Sequence, residues 1–343
     1  MSQTGVLLVN LGSPRSPAPD DVRRFLRELL MDPHVLDMSR LVRFCLVRFL
    51  ILPLRTAKAA AAYRKIWTDE GSPLVATGLK LAAALQHELG RPVAIAMRYG
   101  EPSIPDALHT FSAHGVRRLL LVPMFPQYAL STYEAAVAGV KLHLASIAPG
   151  TELIVHPPFY AAHEYITALA TVTKTHLPKD FDHLLFSFHS LPERHLRKAD
   201  PTRAHCLVKP DCCHAPSPAH ATCYKHQCLK TMEAVVEKLG LPPSKCSIAF
   251  QSQFGPGRWL GPGTMAELRR LAMAGAKKVA VICPSFVADC VETLEEIGMR
   301  ARAEFMAAGG REFVLIPCLN DHVSWVRALA VMITQAVNQR TAT

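Results

Sequence analysis

Gly115-Val-Arg-Arg-Leu-Leu-Leu-Val-Pro123 and Gly275-Ala-Lys-Lys-Val-Ala-Val-Ile-Cys-Pro284 are two versions of one phrase. Each runs from a glycine through a basic pair into unbroken apolar residues and ends on a proline. An apolar run of that length, without polar alternation, predicts a strand buried on both faces. Such strands belong in a parallel sheet covered by helices on each side. Runs of the same kind stand at Val6–Val9, Val93–Met97, Leu119–Val122, Leu153–Val155, Leu184–Phe188, Ser247–Gln251, Val279–Cys283 and Phe313–Ile316. Longer stretches of helical spacing separate them, and they fall into two sets of four.

Working outward, the sets look like copies. Pro92 to Gly100 (PVAIAMRYG) resembles Cys246 to Gly255 (CSIAFQSQFG), and Leu7 to Pro14 (LLVNLGSP) resembles Leu184 to Pro192 (LLFSFHSLP). Any two buried strands look somewhat alike, but three pairs in the same order imply a duplicated α/β unit. The fold expected is therefore α/β, with two similar Rossmann-like domains, each a four-stranded parallel sheet flanked by helices. In such sheets ligands bind beyond the carboxyl ends of the strands.

Bulk composition agrees with two domains. The 343 residues are too many for one small core, and half of them are apolar. The formal charge of +10 points to an anionic partner: nucleic acid, an acidic membrane face or a carboxylate-bearing substrate. The basic residues come in ones and twos, which argues against a nucleic-acid tail. The opening Val6–Val9 run is far short of a secretory h-region, so a reducing, cytoplasmic compartment is expected and the ten cysteines are not read as a disulfide framework.

Two stretches break the alternation. Residues 35–55 are strongly apolar, interrupted by Arg40, Arg43 and Arg48, with Pro53 expected to end them. At ~100° per residue these arginines and Arg55 share one helical face. A spanning helix needs about 20 uninterrupted apolar residues, so this segment either dips into an acidic membrane surface or is a core helix with a solvated arginine face. Residues 199–228 lack periodicity and hold Cys206, Cys212, Cys213, Cys223 and Cys228. They read as a loop held by something other than an apolar core. In a reducing compartment that something is a metal: an iron–sulfur cluster on four thiolates, or structural zinc on cysteine and histidine.

Three constellations carry chemistry, each directly after a strand. His189 leaves the Leu184–Phe188 run and can take or give a proton near neutral pH, although a lone histidine is usually structural. Glu292 and Glu296 lie at i and i+4 behind Asp289, which is expected to cap their helix. Stacked carboxylates can relay protons or handle a divalent cation, or can simply be solvated first-turn charge. Phe250-Gln-Ser-Gln-Phe-Gly-Pro-Gly-Arg-Trp-Leu-Gly-Pro-Gly presents Trp259 on a glycine-rich turn, either to stack on a flat ligand or to plug the loop.

Taken together, FSFHSLPER, FQSQFGPGRWLGP and FVADCVETLEEIG resemble the ferrochelatase family. The resemblance extends through VLLVNLGSP, Tyr63-Arg-Lys-Ile-Trp, Met97-Arg-Tyr-Gly and Phe125-Pro-Gln-Tyr-Ala-Leu-Ser-Thr, and so covers essentially the whole chain. It implies insertion of Fe²⁺ into protoporphyrin, with His189 as the active-site histidine, Glu292 facing it and Glu296 behind. His189 and Glu292 would also meet the substrate iron. Tyr63, Arg98, Tyr99, Trp259, Phe286 and Leu11 would line the macrocycle pocket. It implies an N-terminal domain of residues 1–157 completed by a C-terminal helix at 322–343, and a second domain of 158–321. It implies that 35–55 is an apolar lip touching the cytoplasmic face of a membrane. It also implies a [2Fe–2S] cluster on four of the five cysteines, one of the Cys212/Cys213 pair being spare. Some relatives carry histidine where this chain has Cys290, so a mechanism needing a second histidine there does not transfer. The rival readings are a cobalt or nickel chelatase for another tetrapyrrole, and a haem-binding or redox-sensing protein without turnover.

Overall fold

The computed structural model describes residues 4–255 and 257–339. Pro256 of the glycine-rich turn, and the last four residues of the helix expected at 322–343, lie outside the described residues. Eight strands form two parallel sheets. The first contains β1 (Thr4–Ser13), β2 (Val93–Gly100), β3 (Arg118–Pro123) and β4 (Glu152–Val155) in the order β2-β1-β3-β4. The second contains β5 (His183–His189), β6 (Cys246–Gln251), β7 (Lys278–Ile282) and β8 (Glu312–Leu315) in the order β6-β5-β7-β8. Each expected strand is present, and the two sheets share one topology.

The registers match as well. In the first sheet Val6 stands opposite Val93 and Leu120; in the second Leu184 stands opposite Cys246 and Ala280. Leu120 and Ala280 hold the same place in the repeated phrase, second after the basic pair. Val6–Pro14 therefore corresponds to Leu184–Pro192 without a gap, and Leu11 is the counterpart of His189. This shifts by one residue the correspondence read from the letters alone, where Leu7 was set against Leu184. The central strands β1 and β5 are buried along almost their whole length, as their unbroken apolar character requires. At about 1.5–3 kcal/mol for each fully buried large apolar side chain, they anchor the two cores.

The chain separates into two compact units, residues 1–125 with 130–158 and 321–343, and residues 126–129 with 159–320. The short 126–129 excursion is fixed inside the second unit. Gln127 Nε2 donates to Thr231 Oγ1 at 3.0 Å and the Tyr128 N–H to Gln227 Oε1 at 2.7 Å.

Segment 35–55 differs from expectation in two respects. Helix Arg40–Cys45 runs through a wider π segment, Leu46–Ile51, straight into helix Leu52–Ile66, so Pro53 does not end it. Proline has no N–H to give to the carbonyl one α-turn back. The i→i+5 pairing ahead of Leu52 lets the helix pass that gap. Arg43 also leaves the arginine face. It is buried, and its Nη1 donates to the carbonyls of Leu36 (3.0 Å) and Met38 (3.1 Å).

Candidate active site and cysteine-rich loop

In the second unit His189 is the last residue of β5, half-buried after six buried residues. Its N–H donates to Ser285 Oγ at 3.2 Å, and its Nδ1 makes a 2.6 Å hydrogen bond to the Ser190 carbonyl. A carbonyl only accepts, so Nδ1 carries the ring proton and Nε2 is the basic nitrogen. The half-buried Phe286 ring lies 6.2 Å from the imidazole, centroid to centroid.

The Trp259 turn is laced to the strand exit that follows His189. Leu260 N–H donates to Leu191 O at 3.0 Å, and Glu193 N–H to Arg258 O at 2.9 Å. Ser190 Oγ and Gln253 Nε2 both reach the Leu260 carbonyl, at 2.9 and 3.0 Å. Trp259 is thus fixed by backbone pairing, with its side chain half-buried.

Glu292 and Glu296 lie on the helix Glu292–Ala301, which is π in its hydrogen bonding. In an i→i+5 helix a four-residue step falls just short of a full turn, so both carboxylates still share a face. Ser252 grips Glu296: its N–H donates to Oε1 at 2.9 Å and its Oγ to Oε2 at 2.6 Å, with Arg300 Nη2 3.8 Å from Oε2. The Glu292 carbonyl accepts from Gln251 Nε2 at 2.8 Å, and its carboxylate accepts from the Cys290 thiol, which burial and that charge hold in its protonated form. Asp289 does not cap this helix. Its carboxylate is drawn instead to Thr293 Oγ1 (2.9 Å) and to Asn320 Nδ2 (2.7 Å), fixing the loop between β7 and the helix.

In the first unit Arg98 and Tyr99 end β2 and converge on Asp32. Arg98 Nη2 and Tyr99 Oη donate to Asp32 Oδ2 at 2.5 and 2.9 Å, and His34 N–H donates to Oδ1 at 2.8 Å. Burial alone would raise the Asp32 carboxyl. The His34 hydrogen bonds, the Arg98 charge and the Tyr99 phenol outweigh it and hold the group below the usual carboxylate range. Arg98 also donates from Nε to Ala135 O at 2.9 Å and lies over the Tyr99 ring at 4.8 Å. Gly12, next to Leu11, is required: a Cβ there would sit 1.8 Å from the Tyr99 carbonyl. Tyr63 is buried edge-on between Phe25 and Trp67, each 6.3 Å away. A cavity of about 410 Å³ opens in this unit among Met31, Phe44, Val47, Arg48 and Leu52, within the size range of small-molecule pockets. Beside it Leu41, Phe49 and Leu54 stand 72, 68 and 71% exposed. Among the described residues no helix is long and apolar enough to cross a membrane.

Sequence reasoning missed Asp32 and Ser252. Met31-Asp-Pro-His reads as an ordinary turn, and Ser252 as one polar residue among several. Ser252 stands at the carboxyl end of β6 inside the glycine-rich motif, which was the one available signal; Asp32 had none.

The cysteine-rich loop is folded around its own polar groups. Asp200 accepts from the N–H of Cys206 (2.8 Å), the N–H of His205 (2.9 Å) and the N–H of Thr202 (2.8 Å). Cys206, Cys213 and Cys223 are buried and linked by thiol hydrogen bonds, with Cys212 close enough to be felt electrostatically. The Cys213 thiol, helped by the His226 N–H and the Cys206 thiol, lowers Cys223 against its burial. Three histidines ring the group, each with one ring nitrogen on a backbone carbonyl. His205 and His220 use Nε2 on the Cys212 carbonyl at 2.6 and 2.9 Å, and His226 uses Nδ1 on the Cys213 carbonyl at 2.6 Å. The expected loop is shorter than 199–228, because helix Tyr224–Leu239 takes in its last residues. Cys228 therefore sits one helical turn away, hydrogen-bonded to the Tyr224 hydroxyl. Among the described residues no group of three or more His, Cys, Asp or Glu side chains is arranged as a metal coordination sphere.

Comparison with known proteins agrees along the whole length. The family model described as Ferrochelatase matches residues 3–337. Ferrochelatase of Pseudomonas entomophila is 48% identical over 338 residues, covering 98% of this chain and 100% of that one. Ferrochelatase of Azotobacter vinelandii is 49% identical over 332 residues, covering 96% and 98%. Among solved structures, SirB from Bacillus subtilis with Fe³⁺ aligns with a TM-score of 0.55 at 11% identity, over 99% of this chain and 98% of that one. That likeness extends to the fold alone.

Proposed function

As a member of the ferrochelatase family this chain is a metal-chelating lyase that puts Fe²⁺ into protoporphyrin, and we propose that His189 is the base that receives the pyrrole protons. The observation that carries this is the Nδ1–Ser190 bond, which leaves Nε2 as the acceptor at the open end of β5. Insertion exchanges two inner N–H protons for one divalent cation, so the site must remove two positive charges as it delivers two. Glu292 and Glu296, on one helix face, conduct protons or metal. Glu296, held on both oxygens, is a fixed station, whereas Glu292 is the freer of the two. Bending the macrocycle exposes its nitrogen lone pairs, and tight aromatic and apolar walls supply that strain from binding energy. Phe286, Trp259, Tyr63 and Leu11 are the wall residues in this reading. Arg98 and Tyr99, tied to Asp32, belong to the same wall.

We further propose that the cysteine loop holds a [2Fe–2S] cluster. The donor count favours an all-thiolate set, because four buried thiols share the loop. Cys206, Cys212, Cys213 and Cys223 are the four in this reading, which makes Cys228, rather than one of the Cys212/Cys213 pair, the spare thiol. A bound cluster would add one-electron chemistry and a covalent staple to a loop with little apolar core. The exposed Leu41, Phe49 and Leu54 support a peripheral seat on the cytoplasmic face of a membrane, a sensible place to collect a poorly soluble porphyrin.

The test is anaerobic turnover of purified protein with Fe²⁺ and protoporphyrin, following the full visible spectrum. Catalytic growth of haem bands is expected. Activity only with another tetrapyrrole or metal would overturn the iron–protoporphyrin assignment.

A further inference from the structure

His189 and the cysteine-rich segment are joined by a directed chain of hydrogen bonds. The His189 N–H donates to Ser285 Oγ at 3.2 Å, and Ser285 Oγ lies 2.7 Å from the Tyr224 hydroxyl. Tyr224 is buried and stands one helical turn before the buried Cys228. A phenol and a serine hydroxyl each donate and accept. With the Ser285 proton directed at the phenol oxygen, its lone pairs are open to the His189 N–H. The order is backbone amide, serine, tyrosine. Each member is both donor and acceptor except the ends, the pattern in which hydrogen bonds polarise one another.

The chain spans independent pieces of the second unit. His189 ends β5, Ser285 follows β7, and Tyr224 opens the helix whose N-cap residue is Cys223. The same tyrosine is therefore adjacent in sequence to a gathered thiol and one helical turn from Cys228. Ser285 also precedes Phe286, whose ring faces the imidazole. A displacement of the helix start would draw on Ser285 and so on both the amide and the ring that frame His189.

We propose that Tyr224 and Ser285 are positioning residues for His189, and that through them the cysteine-rich loop sets where the imidazole stands. This rests on the reading of His189 as the proton acceptor, but its test does not require turnover. The probe is the His189 backbone amide resonance in ¹⁵N-histidine-labelled full-length protein. Cys228→Ser should move that resonance in the parent protein. In a Tyr224→Phe background, where the phenol oxygen is gone, the same substitution should leave it in place. Tyr224→Phe should also lower kcat about five- to tenfold with KM for porphyrin within about twofold, as loss of one aligning hydrogen bond predicts. Should Tyr224→Phe fail to fold, Ser285→Ala breaks the chain at a half-buried position and should uncouple the resonance in the same way. An amide that responds to Cys228→Ser equally with and without the Tyr224 hydroxyl overturns the proposal, as does an amide that ignores Cys228→Ser in the parent. Loss of turnover in His189→Ala bears only on the proton-acceptor reading, so the two failures are distinguishable.

Discussion

Ser252 holds both carboxylate oxygens of Glu296, and it does so from the left-handed region at φ 64°. A non-glycine residue there costs of order 1–3 kcal/mol. The two hydrogen bonds to a charged group, each worth about 1.5–3 kcal/mol, offset it. Ser252→Ala keeps the strain and loses the hydroxyl, whereas Ser252→Gly loses the hydroxyl and relieves the strain. In thermal melts Ser252→Gly should be the more stable of the two by about 1 kcal/mol. Both should lower kcat to a similar degree, because Glu296 has lost the same bond in each. An alanine variant as active as the parent would show that the fixed position of Glu296 is unimportant.

Replacing His189 by alanine should abolish haem formation and leave porphyrin binding measurable by absorbance or fluorescence titration. Binding survives because the walls, rather than the imidazole, supply most of the contact area. Retained turnover would remove the histidine from the proton path.

Asp32→Asn should flatten the acid limb of stability. The folded carboxyl lies below its usual 3.8, so its contribution is fully present above that value and is lost as pH falls through the lower folded one. Melting temperatures between about pH 5 and pH 2 should therefore fall less steeply in the variant than in the parent. At neutral pH the variant should be less stable, since Arg98 is left without its charge partner, and its KM for porphyrin should rise.

Cys206→Ser, Cys213→Ser and Cys223→Ser should each remove the absorption and the two irons of the proposed cluster from anaerobically purified protein. A colourless parent containing zinc would keep the metal-binding loop and discard the cluster.

Changing Leu41, Phe49 and Leu54 together to serine should weaken co-flotation with anionic lipid vesicles by an order of magnitude or so, at unchanged melting temperature. Buried area on folding is not involved, so stability is the control. Equal flotation by parent and variant would remove the lip from any membrane role.

The sheets were legible in the sequence because a strand buried on both faces has no polar residues to mask its period. The residues ending those strands were legible for the same reason: His189 is the first polar break after Leu184–Phe188 that is followed by a turn. What sequence did not carry was pairing across distance. Asp32 meets Arg98 66 positions away, and no local pattern announces such a bond. The helix class at Glu292 and the passage through Pro53 were hidden because i→i+5 pairing has no residue signature of its own. Asp289 looked like a cap because aspartate before a helix usually is one. Here the nearby Thr293 and Asn320 offer it stronger partners.

The correspondence of Leu11 with His189 has a consequence for how this chain came to differ from its own repeat. Register makes them the same position in two copies of one fold, yet one copy ends its central strand in an aliphatic side chain and the other in an imidazole. The next position differs too: Gly12 stands where a Cβ would meet the Tyr99 carbonyl, whereas its counterpart in the second copy is Ser190. A histidine placed at Leu11 would therefore not reproduce the second site, because the residues around the two positions differ as well.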